Sequence, residues 1–323
     1  MRNPVMEMQQ IEININKAYR PKKSLISRLL AQKELQLMVI PGILLLIVFK
    51  YLPIYGLQLA FKSFDITRSI WESEWVGFQH FYEFFTSPYF GEVMRNTVGI
   101  SLLKIVFTFP VPIIFALLLN EIESSKARSF VQGISYLPHF ISWVVCYGLI
   151  SVVISKDGGT INSILLNLGL IEEPIHFIGE SKYFWPILII TDNWKEMGWG
   201  AIIYMAAISG VDPQIYESAE IDGANRLQKT IYITIPSILP TIVIMLVLRM
   251  GSILEAGFDQ IFVFRNPMVG DVSNIIDTYV YDAGIKQGRY DYATAIGMFK
   301  SVVAFFMVWA SNWVANKNEM GIW

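Results

Sequence analysis

Within residues 184–210, an otherwise apolar stretch, stands the hexapeptide Thr191-Asp192-Asn193-Trp194-Lys195-Glu196. Ionisable groups in such surroundings are costly to shield from water, so they mark either a path for a polar solute or pairing between helices. The residue types suit a hydroxyl-rich ligand. The Trp194 indole would stack on a sugar ring, and the amide of Asn193 and the charged groups of Asp192, Lys195 and Glu196 would hydrogen-bond hydroxyls. On the competing reading Asp192 and Lys195 satisfy each other, or Asp192 and Glu196 do so through other partners. Three further cations, Lys104, Arg249 and Lys300, also lie inside apolar runs. They would receive an anionic group, or else snorkel to an interface or pair with Glu255.

The elements that position these residues are membrane spans. Of the 323 residues, 54% are hydrophobic and 16% charged, against about 45–50% and about 25% in a soluble domain. A helix crossing the hydrocarbon core needs roughly 20 mostly apolar residues. Six stretches qualify, near 36–56, 96–119, 131–154, 184–210, 236–256 and 292–315. The charged hexapeptide reads as an interruption of the fourth, a helix broken near mid-membrane. The runs are continuous rather than alternating, which argues against a β-barrel. The fold class is therefore all-α, a polytopic membrane protein with about six transmembrane helices, comprising a basic segment 1–34 and a transmembrane domain 35–323.

Orientation follows from the basic residues. Segments 1–34, 120–130, 211–235 and 316–323 carry the N-terminal cluster together with Lys126, Arg128, Arg226, Lys229 and Lys317. They are placed in the cytoplasm, N-in and C-in, in a multi-pass protein of the cytoplasmic membrane. Outside lie 57–95, 155–183 and 257–291. Lys104, Arg249 and Lys300 then sit about seven or eight residues in from the outer ends of their spans, all roughly 10–13 Å deep at about 1.5 Å per residue. In the first outer segment Phe81, Phe84 and Phe85 stand at helical spacing, as in an amphipathic surface helix beside an interfacial aromatic belt.

Several chemistries are excluded. The net charge of −2 does not point to nucleic acid. Cys146 is a lone apolar cysteine, and His80, His139 and His176 are scattered, so neither a disulfide framework nor a metal site is expected, and no catalytic residues are assigned. The segment Gly56–Ser63 has the outer spacing of a phosphate-binding loop, but Phe61 stands where the backbone needs glycine.

The segment 211–235 is the most informative. Asp212-Pro213 reads as a helix start, Asp222-Gly223 as a tight turn, Arg226–Tyr232 as a second short helix, and Pro236 as the start of the next span. The spacing Glu217-Ser218-Ala219, Gly223, Ile233, Ile235, Pro236 resembles the "EAA" loop of permeases of binding-protein-dependent ABC importers. It departs only at Ser218, for the middle Ala, and Ile235, for Leu. The runs Tyr136–Trp143, Gly257–Pro267 and Ile276–Tyr281, together with Asn96-Thr97 and Leu117–Glu121, are similar to the carbohydrate branch of that family. They resemble in particular the permeases for complex oligosaccharides, including alginate and pectin fragments.

The resemblance implies a type I importer transmembrane fold. It also implies an ATPase-docking role for 211–235, carried by Glu217, Ser218, Ala219, Asp222, Gly223, Ile233 and Pro236. The implied partners are a second related permease, two ABC ATPase subunits that carry the ATP and Mg, an extracellular or periplasmic sugar-binding protein, and the oligosaccharide itself. No cofactor is expected on this chain, which is read as a transport subunit and not an enzyme. Two alternatives stay open: a neutral oligosaccharide or other solute for a permease of the same class, and a stand-alone secondary transporter. The latter would need an ion-coupling carboxylate in mid-span and inverted repeats.

Overall fold

The computed structural model describes residues 32–67, 69–317 and 321. Of the basic segment expected over 1–34, positions 1–31 lie outside the described residues, as does most of 318–323. The chain divides into two units between Gln58 and Leu59. The first contains α1 (Lys33–Leu46), prolonged by a π-turn at Ile47–Tyr51 and by 3-10 turns over Leu52–Phe61. The run Lys33–Phe61 is 29 residues long, more than the roughly 20 that a bilayer core requires. No residue of α1 or the π-turn is buried within the chain. A helix apolar all round has the pattern of a membrane span.

The second unit opens with two-residue antiparallel strands, β1 (Lys62–Ser63) and β2 (Glu74–Trp75), and is otherwise helical. The helix expected around Phe81–Phe85 forms as α2 (Gln79–Thr86), but it is not confined to the surface. Phe84 is only 1% exposed. It meets Phe90 edge-on at 5.1 Å and also contacts Phe299 at 5.8 Å and Tyr279 at 6.2 Å. Aromatic rings gain from edge-to-face contact beyond the area they bury, so the helix is drawn onto the outer end of the bundle.

The second span, Phe90–Asn120, is 31 residues long. It comprises α3 (Phe90–Phe107) and α4 (Pro110–Asn120), which opens on a proline in its first turn, where a missing N–H costs nothing. It starts six residues before Asn96, the residue expected to open it. Asn96 and Thr97 are instead buried anchors for the outer loop. Asn96 donates to the Asp271 and Asn274 carbonyls at 3.0 Å each, and Thr97 accepts from the Ile276 amide at 2.9 Å.

The third span is the broken one. α5 (Ser125–Tyr136), capped by Ser124, ends in a 3-10 turn at Leu137–Phe140, and α6 (Trp143–Val153) restarts behind the Ser142 cap. The two halves meet at 104°. Leu137 and Pro138 stay in the 3-10 turn, and it is the extended backbone at Ile141 and Ser142 that makes the break. After α7 (Thr160–Asn167), the stretch expected as the fourth span is one unbroken helix, α8 (Ser181–Ser209) of 29 residues. It is not among the four helices, or five counting the bent third pair, that are long and apolar enough to cross a membrane among the described residues. The interruption expected at 191–196 is therefore corrected. Asp192, Asn193, Lys195 and Glu196 each bond sideways to another segment, so the backbone has no reason to unwind, although Asn193 Oδ1 is left without a partner among the described residues.

Between the fourth and fifth spans lie α9 (Pro213–Ile221) and α10 (Arg226–Lys229). A π-turn at Thr230–Thr234 joins α10 to α11 (Ile235–Gly251), making one 26-residue rod, Arg226–Gly251. The span thus begins ten residues before Pro236. Pro236 has no N–H to give the Tyr232 carbonyl, and the wider π-turn absorbs that loss without ending the helix. The outer segment then folds into α12 (Phe258–Phe264), α13 (Gly270–Ser273) and α14 (Ile276–Tyr281), and α15 (Tyr290–Asn316) is the last span.

Small residues bring the spans together, as lipid-embedded helices require. Ala116 and Ala201 are fully buried beside Tyr204, Ile208 and Ile238, locking α4, α8 and α11. At Gly198 the approach is closest, since a Cβ there would stand 2.2 Å from the Ser135 carbonyl oxygen of α5.

Candidate functional site

A cavity of about 1170 Å³ opens among α3, α8, α11, α12, α14 and α15. The three cations that the sequence places at one depth, Lys104, Arg249 and Lys300, all line it, joined by Asp192 and Glu196 of α8. Asn193, Trp194 and Lys195 do not. The aromatic faces on the cavity belong instead to Trp143, Trp199, Tyr204, Tyr281 and Tyr290.

Lys104 is 3% exposed. Its Nζ lies 3.4 Å from Asp192 Oδ1 and donates to Gln260 Oε1 at 2.8 Å. Gln260, itself buried, donates in turn to the Leu188 carbonyl and to Thr191 Oγ1, both at 2.8 Å. The network ties α3, α8 and α12 with every charge matched, which a low-dielectric interior demands. Lys300 donates to Asp277 Oδ1 of α14 at 2.7 Å. Arg249 has neither an ion pair nor a side-chain hydrogen bond among the described residues, so the pairing with Glu255 that competed for these cations is not formed.

The remaining charges of α8 serve the break in the third span. Lys195 Nζ donates to the carbonyls of Pro138 and His139, at the C-terminal end of the α5 segment. A cation is favourable there, because the last carbonyls of a helix lack partners and carry the negative end of the dipole. Glu196 pairs with His139 Nδ1 at 2.8 Å, and the His139 ring stacks on Trp199 at 4.4 Å. Asn193 donates to the Phe107 carbonyl at 3.1 Å, closing the end of α3. Trp194 is 39% exposed, away from the cavity. Of the hexapeptide, then, Asp192 and Glu196 reach the cavity while Asn193 and Lys195 hold helix ends. Gln260, Asp277, His139 and Trp199 escaped assignment as site residues, although Gln260, Asp277 and His139 fall within the runs that carried the family resemblance.

The second candidate region is the loop after α8. Asp212 Oδ1 accepts from the Gln214 amide at 2.9 Å, with Pro213 first in α9. Gly223 has φ +79, which a residue with a side chain rarely adopts, and the Ala224 amide returns to the Ala219 carbonyl at 2.9 Å. Asn225 and Gln228 form a capping box on α10. Tyr216 OH lies 2.9 Å from Thr234 Oγ1, and Lys229 donates to Glu220 Oε1 at 2.6 Å, clamping α9 onto the rod. That bond holds the Glu220 carboxyl below its ordinary value. Glu217, Ser218, Asp222, Gly223 and Pro236 are exposed, whereas Ala219 and Ile233 are half-buried. Beside the turn Ile221 is 88% exposed, an apolar side chain left uncovered by this chain.

A polar, aromatic-walled cavity among membrane helices, with a rigid exposed loop at one membrane face, defines a multi-pass transport subunit. The chain belongs to the family described as binding-protein-dependent transport system inner membrane component, whose profile matches residues 37–318. It is 43% identical over 303 residues to the polygalacturonan/rhamnogalacturonan transport system permease protein YteP of Bacillus subtilis, covering 94% of each chain. It is 42% identical over 285 residues to protein LplB of the same organism, covering 88% of this chain and 89% of that one. Among solved structures it matches a chain of a bacterial ABC transporter involved in import of the acidic polysaccharide alginate. The TM-score is 0.83 and the identity 39%, over 91% of this chain and 99% of that chain. A second structure, of a bacterial alginate ABC transporter in complex with an alginate pentasaccharide-bound periplasmic protein, matches at the same score and identity, over 91% of this chain and 98% of that one.

Proposed function

We propose that this chain forms part of the passage for an acidic oligosaccharide in an ATP-driven importer, and that the 211–235 loop couples it to separate ATPase subunits. A second related permease and a binding protein would complete the complex, with ATP and Mg held by the ATPases. The cavity supports this reading through its size, its aromatic faces and its polar wall, the features by which a protein holds a sugar ring and its hydroxyls. The relatives that carry polygalacturonan, rhamnogalacturonan and alginate in their descriptions favour an acidic cargo.

The loop supplies the observation that carries the coupling role. Its backbone is fixed by caps and clamps internal to the chain, yet Glu217 and Ile221 point away from every described neighbour. A Cβ on Gly223 would meet nothing within 4 Å in this chain, but at its φ of +79 any side chain strains the turn itself, so Gly223 does not isolate the contact with a partner. The test is Ile221→Asp, which leaves the Gly223 turn intact, in the complex reconstituted with its ATPases and binding protein. We expect uptake to fall by about tenfold or more, as for a lost interface contact of about 1.4 kcal/mol or above, with the permease still inserted. Uptake at the wild-type rate with the ATPase still attached would refute the docking assignment.

A further inference from the structure

We propose that the cavity contains a uronosyl subsite in which Arg249 takes the sugar carboxylate while Ser101 and Thr108 take hydroxyls. This rests on the reading of the cavity as an oligosaccharide passage. Two of its three cations are already neutralised, Lys104 by Asp192 at 3.4 Å and Lys300 by Asp277 at 2.7 Å. Arg249 lines the same cavity from the last turn of α11, is exposed, and has no partner for its guanidinium among the described residues. Five N–H donors in a planar fork are matched by a carboxylate, which accepts two of them side by side. Lysine lacks that geometry.

An independent observation lies across the cavity. Ser101 of α3 and Thr108, the residue that closes α3, are 5% and 8% exposed and line its wall, yet their hydroxyl oxygens have no hydrogen-bond partner among the described residues. Buried hydroxyls in a folded protein are nearly always satisfied, and a ligand rich in hydroxyls would complete both. Seven residues separate them, close to two helical turns and about 10 Å, so they face the cavity from one side of α3 and address different rings of a chain. Glu255 and Asp259 also border the cavity, and neither forms an ion pair among the described residues. As acceptors only, they suit hydroxyl donors and repel further anions. One free cation beside two free carboxylates gives an acidic sugar a foothold without trapping it, as passage requires.

The test is direct binding to the purified permease–ATPase complex without its binding protein. Tetragalacturonate is compared with its methyl ester, and a chitosan-type amino-sugar oligomer serves as the cationic arm. Wild type is expected to bind the acid most tightly. Arg249→Gln should weaken acid binding about tenfold or more and ester binding less than about threefold, the scale of one charge-assisted contact. Arg249→Lys keeps the helix-end charge but not the fork, and should fall between. Ser101→Ala combined with Thr108→Val should weaken acid and ester alike. The proposal is overturned if wild type binds none of the ligands or binds acid and ester equally. It is also overturned if the amino sugar binds best, if Arg249→Gln weakens acid and ester to the same degree, or if Arg249→Lys restores binding fully. Import by the complete system separates the two ideas: a wild-type complex that imports no oligosaccharide refutes the passage reading itself.

Discussion

The cavity and the 211–235 loop are built on opposite principles. In the cavity, charges from distant parts of the chain meet and cancel, as Lys104 does with Asp192 and Gln260, residues 156 positions apart in the case of Gln260. In the loop most fixing contacts are short-range, although Arg226 pairs with Glu123 and Thr230 reaches Glu121. The cavity wall thus commits Lys104 and Lys300 to pairs within the chain and leaves Arg249 open, whereas the loop fixes its backbone and leaves Glu217 and Ile221 exposed.

The largest effect that would break this contrast is at the buried pair. Lys104→Met or Asp192→Leu alone should destabilise the protein by about 3–5 kcal/mol, because the charge left behind has no partner. The double variant should recover much of that loss. Thermal unfolding of the three variants in detergent measures it, and single variants as stable as wild type would show that the pair does not hold the cavity wall. The next effect is steric. Gly198→Ala sets a Cβ 2.2 Å from the Ser135 oxygen and should cost about 1–3 kcal/mol as α5 and α8 are forced apart, seen as a lower unfolding temperature and lower yield of assembled complex.

The smallest effect sharpens the loop side. The Lys229 hydrogen bond lowers the Glu220 carboxyl below its ordinary value of 4.5. A carboxyl lowered on folding adds stability above its unfolded value and loses it as the pH falls through the lower, folded one. The α9–α10 clamp should therefore hold at neutral pH and slacken only as the pH falls below the ordinary carboxylate range. Glu220→Gln should remove that acid-side dependence, followed by hydrogen exchange at the Ala224 amide. Salt should weaken the wild-type clamp, since the pair is exposed.

The same contrast explains what could be read from residues alone. The loop is legible in its turns, since Asp212-Pro213 and Asp222-Gly223 act through contacts only a few residues long, but Pro236 does not begin the span, which runs on unbroken from Arg226. The spans were legible from hydropathy, and the shared depth of Lys104, Arg249 and Lys300 from the helical rise. What escaped was tertiary. The charges of 191–196 suggested a broken helix, but Lys195 instead caps the end of α5 and Asp192 meets Lys104, so the break belongs to the third span at Ile141 and Ser142. No local signal distinguishes a lysine that unwinds its own helix from one that finishes another. The importance of Gln260 is likewise invisible until α12 folds back against α8.

The continuity of α10 with α11 has a mechanical consequence. Arg226–Gly251 is one 26-residue helix, about 39 Å long at 1.5 Å per residue. Its capped foot stands beside the Gly223 turn, and Arg249 stands near its head. If the loop docks an ATPase as proposed, such a rod would act as a push-bar, a tilt at its foot carrying Arg249 along the cavity wall.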